Sequence, residues 1–124
     1  MPSVLAAQPI LLLEDEPLIA LEVAEAFKSV GADVVVTFSL DQALKVISTR
    51  RWEGAVLDYR LDQTDCSCIC DWLDEQRVPF VIYTGLGEIP GQWRNGVHVL
   101  KPAEPSDLVR IIEQLADPAR CIAI

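Results

Sequence analysis

The feature that most constrains this chain is the alternation of short, β-branched apolar runs with longer amphipathic stretches. Residues 10–13, 33–38, 55–57, 80–83 and 97–100 are brief and largely apolar, as strands must be when both faces of a parallel sheet are covered. Between the first two runs, Ile19, Val23, Ala26, Phe27 and Val30 recur at helical spacing opposite Glu22, Glu25 and Lys28, and Gly31 is placed to end the helix. Ser39 and Gln42 have the spacing of a capping box, in which each side chain serves the other's free backbone N–H; Leu40, Ala43, Leu44 and Ile47 follow with period 3.6. Residues 66–76 predict a further helix with Ile69, Trp72 and Leu73 turned inward. Pro105 suits a first helical position and Asp107 a positive first turn, while Leu108, Ile111, Ile112 and Leu115 form one apolar stripe. The segment 88–96 holds Pro90, Gly91, Trp93 and Gly96, leaving room for a turn or a short helix. The pattern predicts an α/β fold: a doubly wound five-stranded parallel sheet with helices on both faces.

At 124 residues, the chain has the size of one domain, expected over residues 9–116 between an N-terminal tail at 1–8 and a C-terminal tail at 117–124. Lys+Arg total 10 against 19 Asp+Glu, a formal charge of -9, which argues against binding nucleic acid or an anionic membrane and favours a cation as the small partner. No apolar run approaches the roughly 18 residues of a membrane span. No basic residue precedes Lys28, so a secretory signal is not expected and the expected location is cytoplasmic. Cys66, Cys68 and Cys70 stand too close for an ordinary disulfide framework, and with one intervening residue they miss the spacing of zinc pairs. They are expected to be free thiols, packed or exposed. Asp62 and Asp65 are read as loop or cap residues. Trp52, Trp72 and Trp93 are read as packing residues, with Trp93 best placed to touch a partner.

In an open parallel sheet, ligands bind beyond the carboxyl ends of the strands. There the first strand runs into Glu14 and Asp15, the third into Asp58, the fourth into Thr84, and the fifth into Lys101 and Pro102. Carboxylates gathered in one crevice repel one another and call for a counter-charge. Hard oxygen ligands suit Mg²⁺, and Lys101 adds a fixed positive charge. A carboxylate facing a metal and a lysine, with a hydroxyl nearby, is equipped to attack phosphorus and form an aspartyl phosphate. Asp58, alone on the middle strand, is the best nucleophile.

The segments ILLLEDEP, AVLDYRL, VIYTG and VLKP, in this order at the ends of strands one, three, four and five, resemble the CheY-like receiver domain of two-component response regulators over residues 9–116. The resemblance implies a flavodoxin-like sheet of order 2-1-3-4-5. It implies Asp58 as phosphoacceptor, Asp15 as a direct Mg²⁺ ligand, Glu14 as the other acidic-pair member, often acting through water, and the backbone carbonyl of Arg60 as the remaining protein ligand. Thr84 matches the hydroxyl that bonds the phosphoryl group, Lys101 the ammonium that pairs with it, and Gly85 the small residue that keeps the site open. The Lys101-Pro102 bond is expected to be cis. The donor would be a phosphohistidine on a sensor histidine kinase or phosphotransfer protein, and the output an unknown downstream protein target reached through a protein surface. With no DNA-binding or enzymatic segment after residue 116, the expectation is a receiver acting alone, as monomer or weak dimer, catalysing only its own phosphorylation and dephosphorylation.

Three positions depart from that family. The step from Thr84 to Lys101 is short, so the fourth helix is expected to be short or absent, as in some single-domain receivers. His98 stands where a Tyr or Phe usually turns inward on activation, and Ala103 where a Phe commonly follows Lys-Pro. Two other functions remain open at this stage. One is a receiver-like module that only binds a partner, against which the full set of Glu14, Asp15, Asp58, Thr84 and Lys101 argues. The other is a metal-dependent phosphohydrolase of the haloacid-dehalogenase type, against which the consecutive Glu14, Asp15 and Glu16 argue, since that family places D-x-D on its first strand.

Overall fold

The computed structural model describes residues 2–85 and 87–117. Five parallel strands, β1 (Pro9–Leu13), β2 (Asp33–Thr37), β3 (Gly54–Leu57), β4 (Phe80–Thr84) and β5 (Gly96–Leu100), form one sheet. Their order is β2-β1-β3-β4-β5, as expected. The helices are α1 (Pro17–Ser29), α2 (Leu40–Val46), α3 (Ser67–Glu75) and α4 (Pro105–Ala116). A small antiparallel hairpin pairs Arg60–Leu61 with Thr64–Asp65 between β3 and α3.

Because successive strand residues point to opposite faces, the sheet buries two separate cores. Leu11, Leu13, Ala55, Leu57, Phe80 and Ile82 face α2 and α3, where Ala43, Ile69, Cys70 and Leu73 are buried. Ile10, Leu12, Val56, Val81 and Tyr83 face α1 and α4, where Val23, Phe27, Leu108 and Ile112 are buried. α4 lies tight on β3: a Cβ on Gly54 would come within 2.7 Å of Ile112 Cγ2.

Local chemistry sets the helix ends. The Ser39 hydroxyl accepts the Gln42 N–H at 3.1 Å. The Gln42 carboxamide accepts from Phe38 N–H at 2.8 Å, one residue earlier than the capping-box spacing predicts. The Asp65 carboxylate accepts the Ser67 N–H at 2.9 Å, and so caps α3. α1 and α3 end in the same hydrogen-bond motif. Gly31 N–H bonds Lys28 O and Ala32 N–H bonds Phe27 O, while Arg77 N–H bonds Asp74 O and Val78 N–H bonds Leu73 O. The left-handed residue is glycine in the first (Gly31, φ 88) and arginine in the second (Arg77, φ 59). A side chain in that conformation costs about 1 kcal/mol relative to glycine.

The segment expected as an N-terminal tail contributes to the core: Leu5 is fully buried, and Ala7 N–H bonds Gly31 O at 2.7 Å. Asp117 is described, whereas residues 118–124, including Cys121, lie outside the described residues. Among the described residues, the β4–β5 crossover contains no helix, in line with its Pro and Gly content. It is held by side chains instead. Trp93 donates its indole N–H to Asp71 at 2.8 Å and packs near Tyr59 and Phe80, and the Asn95 backbone N–H and carboxamide both bond Asp74. Trp52 is a core residue whose indole N–H donates to Ile47 O at 2.8 Å. The Cys66 and Cys70 thiols lie 3.7 Å apart, fully buried, and Cys68 is exposed. The bond between the two buried thiols, together with burial, pushes the Cys66 thiol well above its ordinary range, which makes it a poor nucleophile and metal ligand.

Candidate functional site

Strand register alone brings the site together. Leu13 pairs with Thr37 on one side and Leu57 on the other, so Glu14 and Asp58 leave neighbouring strands at the same level. Their backbones stay tied beyond the ladder: Glu14 N–H bonds Thr37 O at 3.0 Å, Asp58 N–H bonds Leu13 O at 2.8 Å, and Lys101 N–H bonds Thr84 O at 2.8 Å.

Carboxylate oxygens of Glu14, Asp15 and Asp58 lie within 4.8 Å of one another. Glu14 and Asp58 are buried, and Asp15 is exposed at the mouth. The Lys101 ammonium crosses from the far side of the sheet to both buried acids, 2.9 Å from Glu14 Oε1 and 3.2 Å from Asp58 Oδ2. One cation between three carboxylates leaves excess negative charge. Burial, and then the Asp58 charge, raise the Glu14 carboxyl from 4.5 to about 7 against the pull of Lys101. For Lys101, burial acts to lower the pKa, but the bond to Glu14 and the charge of Asp58 outweigh it, and the net shift is upward. The two shifts agree physically: the lysine gains from two anions, while Glu14 must share one cation with a second anion in a dry crevice.

Thr84 is buried at the end of β4, beside Leu100 in the ladder. In the hairpin after β3, Cys66 N–H bonds Tyr59 O at 2.9 Å. Since bonded and non-bonded pairs alternate in an antiparallel ladder, the Arg60–Asp65 pair is a non-bonded one, and the Arg60 carbonyl points out of the hairpin. The side chain of Arg60 is exposed. The Lys101-Pro102 bond is cis.

One contributor was not legible in the sequence. The Tyr83 hydroxyl accepts the Ala103 N–H at 3.0 Å and lies 3.2 Å from Ala103 O, and its ring lies 5.6 Å beneath the Lys101 ammonium. It thus fixes the turn that carries the lysine and shields the lysine stem. Its neighbour Thr84 was the only signal. His98 is exposed on the face of β5 that no helix covers among the described residues, and with Ile82, Ile89 and Trp93 it lines a cavity of about 700 Å³.

The donor set consists of hard oxygens with surplus negative charge, which fits a divalent cation such as Mg²⁺. No helix among the described residues is long and apolar enough to cross a membrane.

No protein-family model matches the chain, and no curated protein matches it. Solved structures match its fold. A CheY-like response regulator receiver domain protein from Methanospirillum hungatei JF-1 has a TM-score of 0.79 at 16% identity, over 94% of this chain and 99% of that one. The receiver domain of a sensor histidine kinase from Pseudomonas aeruginosa PAO1, with a magnesium ion coordinated in its active-site cleft, has a TM-score of 0.75 at 24% identity, over 90% of this chain and 98% of that one. A response regulator from Thermotoga maritima in complex with Mg(2+)-BeF has a TM-score of 0.74 at 16% identity, over 87% of this chain and 98% of that one.

Proposed function

Given the fold of CheY-like response regulator receiver domains, we propose that this protein is a phosphorylation-controlled receiver that takes a phosphoryl group onto Asp58. The observation that carries the reading is the Lys101 ammonium held between Asp58 and Glu14, with Asp15 completing the acidic cluster. Glu14, Asp15, Asp58 and the Arg60 carbonyl are the groups to hold Mg²⁺, which supplies positive charge to the phosphoryl oxygens when bound.

An Asp58 carboxylate oxygen attacks phosphorus, the O–P bond forms, and the N–P bond of a donor phosphohistidine breaks, with the imidazole leaving and taking up a proton. Lys101 then exchanges its contact with the Asp58 carboxylate for a phosphoryl oxygen, and the Thr84 hydroxyl donates a hydrogen bond to another. That exchange frees the surface around β4 and β5 to shift its population, which is the output. Water hydrolyses the acyl phosphate and resets the site. The chain acts in the cytoplasm and catalyses only its own modification; its partners are a sensor histidine kinase or phosphotransfer protein and a downstream protein.

Intact-mass spectrometry after incubation with acetyl phosphate and Mg²⁺ tests this reading. The wild-type chain is expected to gain one phosphoryl group, and Asp58→Asn none. Undiminished labelling of Asp58→Asn would overturn the assignment, and an unlabelled wild type would return the chain to a binding-only module.

A further inference from the structure

The opposite, amino-terminal edge of the sheet carries a second cavity, of about 710 Å³, whose walls include Arg50, Arg51, Trp52, Trp72 and Arg77. The chain has 10 Lys+Arg against 19 Asp+Glu, yet among the described residues Glu53 is the only acid that lines these walls, with Asp33 paired to Arg50 at their edge. The charge sign is locally reversed. Arg50 is set in place before any ligand arrives. It bonds Asp33 at 3.1 Å and lies 5.5 Å over the ring of Trp52, which is itself fixed by its bond to Ile47 O. Ion pairs among the described residues engage Lys45, Arg50, Lys101 and Arg110, and leave Arg51 and Arg77 exposed without one.

Arg77 stands apart from the other two arginines. α1 and α3 close with the same hydrogen-bond motif, and α1 uses Gly31 at the left-handed position. On α3, the same position bears an arginine whose side chain lines the cavity, at a conformational cost that glycine avoids. Of the three described non-glycine residues with left-handed φ, Ala7, Asp62 and Arg77, only Arg77 lines this cavity, which points to a use for its side chain.

We propose that this cavity is a second binding site, for a small anion carrying a planar ring, of the nucleoside phosphate class. Guanidinium forks match phosphate oxygens. The half-buried Trp72 ring offers an apolar face to a base, while the buried Trp52 serves to hold Arg50 in place. The volume falls in the range of small-ligand sites, roughly 300 to 1,000 Å³.

Calorimetric titration of the full chain with ATP, adenosine and inorganic phosphate, in magnesium-free buffer so that the acidic crevice takes no part, tests the proposal. ATP is expected to bind saturably at one site, with adenosine and phosphate each at least about tenfold weaker. Arg51→Ala and Arg77→Gly are each expected to weaken ATP about tenfold, the loss of one charge-assisted contact, with Asp58→Asn unchanged. Arg77→Gly is also expected to melt a few degrees higher, because glycine relieves the left-handed strain, so its weaker binding is not a folding defect. No saturable ATP binding by the full chain would overturn the proposal, as would equal affinity for ATP in the wild type and Arg77→Gly. Phosphate binding as tightly as ATP would reduce the site to an adventitious anion contact and also overturn it.

Discussion

The β1–β3 half and the β4–β5 half of the sheet meet the same requirement, burial of apolar strands, by different means. In the first half, α1 and α4 cover one face and α2 and α3 the other, and the residues of β1 from Ile10 on and of β3 are fully or nearly fully buried. In the second, β4 is buried throughout between α3 and α4, but the face of β5 that bears His98 and Leu100 is covered only in part, by a helix-free crossover tied down through Trp93 and Asn95. Leu100, at the end of β5, is 53% exposed. The acids of the site stand on the rigid half and its lysine on the looser one. A charge change at Asp58 is therefore passed through Lys101 to β5, a strand none of whose residues is buried.

Substitutions in the two halves test this contrast. Leu73→Ala, in the doubly covered half, is expected to destabilise the fold by about 3 kcal/mol in urea titrations. Lys101→Ala leaves Glu14 and Asp58 buried without their cation, and is expected to lower stability by about 3 kcal/mol at pH 7.5 without metal.

Glu14→Gln tests the electrostatics by its pH dependence. The folded chain holds the Glu14 proton up to about pH 7, against an ordinary value of 4.5. The folded state thus binds more protons between those values, and stability falls as pH rises from about 4.5 to about 7. Glu14→Gln is expected to match the wild type near pH 4.5 and to exceed it by about 3 kcal/mol at pH 8 in metal-free thermal or urea melts. An equal difference at both pH values would remove burial as the cause.

The smaller effects concern the crossover. Trp93→Phe loses the bond to Asp71, and is expected to cost about 1 kcal/mol and to speed hydrogen exchange in residues 88–95. Leu100→Ala, on the open face, is expected to stay within about 0.5 kcal/mol. A larger loss would show that the open face is packed more firmly than its exposure indicates.

Much of this was legible because it is local. The β-branched runs, Gly31 ending α1, Ser39 capping α2 and Pro105 opening α4 each act within a few residues, and each stands as read. The short crossover was legible from Pro90 and Gly91. The acids and Lys101 could be named because strand ends converge at one sheet edge whatever the details of packing. Leu5 was misread as tail, since a single apolar residue in a short segment carries no period; its burial depends on the space left beside α1 and β2. The role of Tyr83 depends on where Ala103 comes to lie, twenty residues further along the chain.

The layered α/β class, the strand order by resemblance, and the residues at the carboxyl edge are readable from residue order alone, because periodicity and end chemistry are written within short windows. Long-range packing settles how charge is shared between Lys101 and the two buried acids, how a helix-free crossover is pinned to α3, and that Arg50, Arg51 and Arg77 line one cavity with two tryptophans. Those features join residues far apart in the chain, and depend on distances and burial that no local pattern encodes.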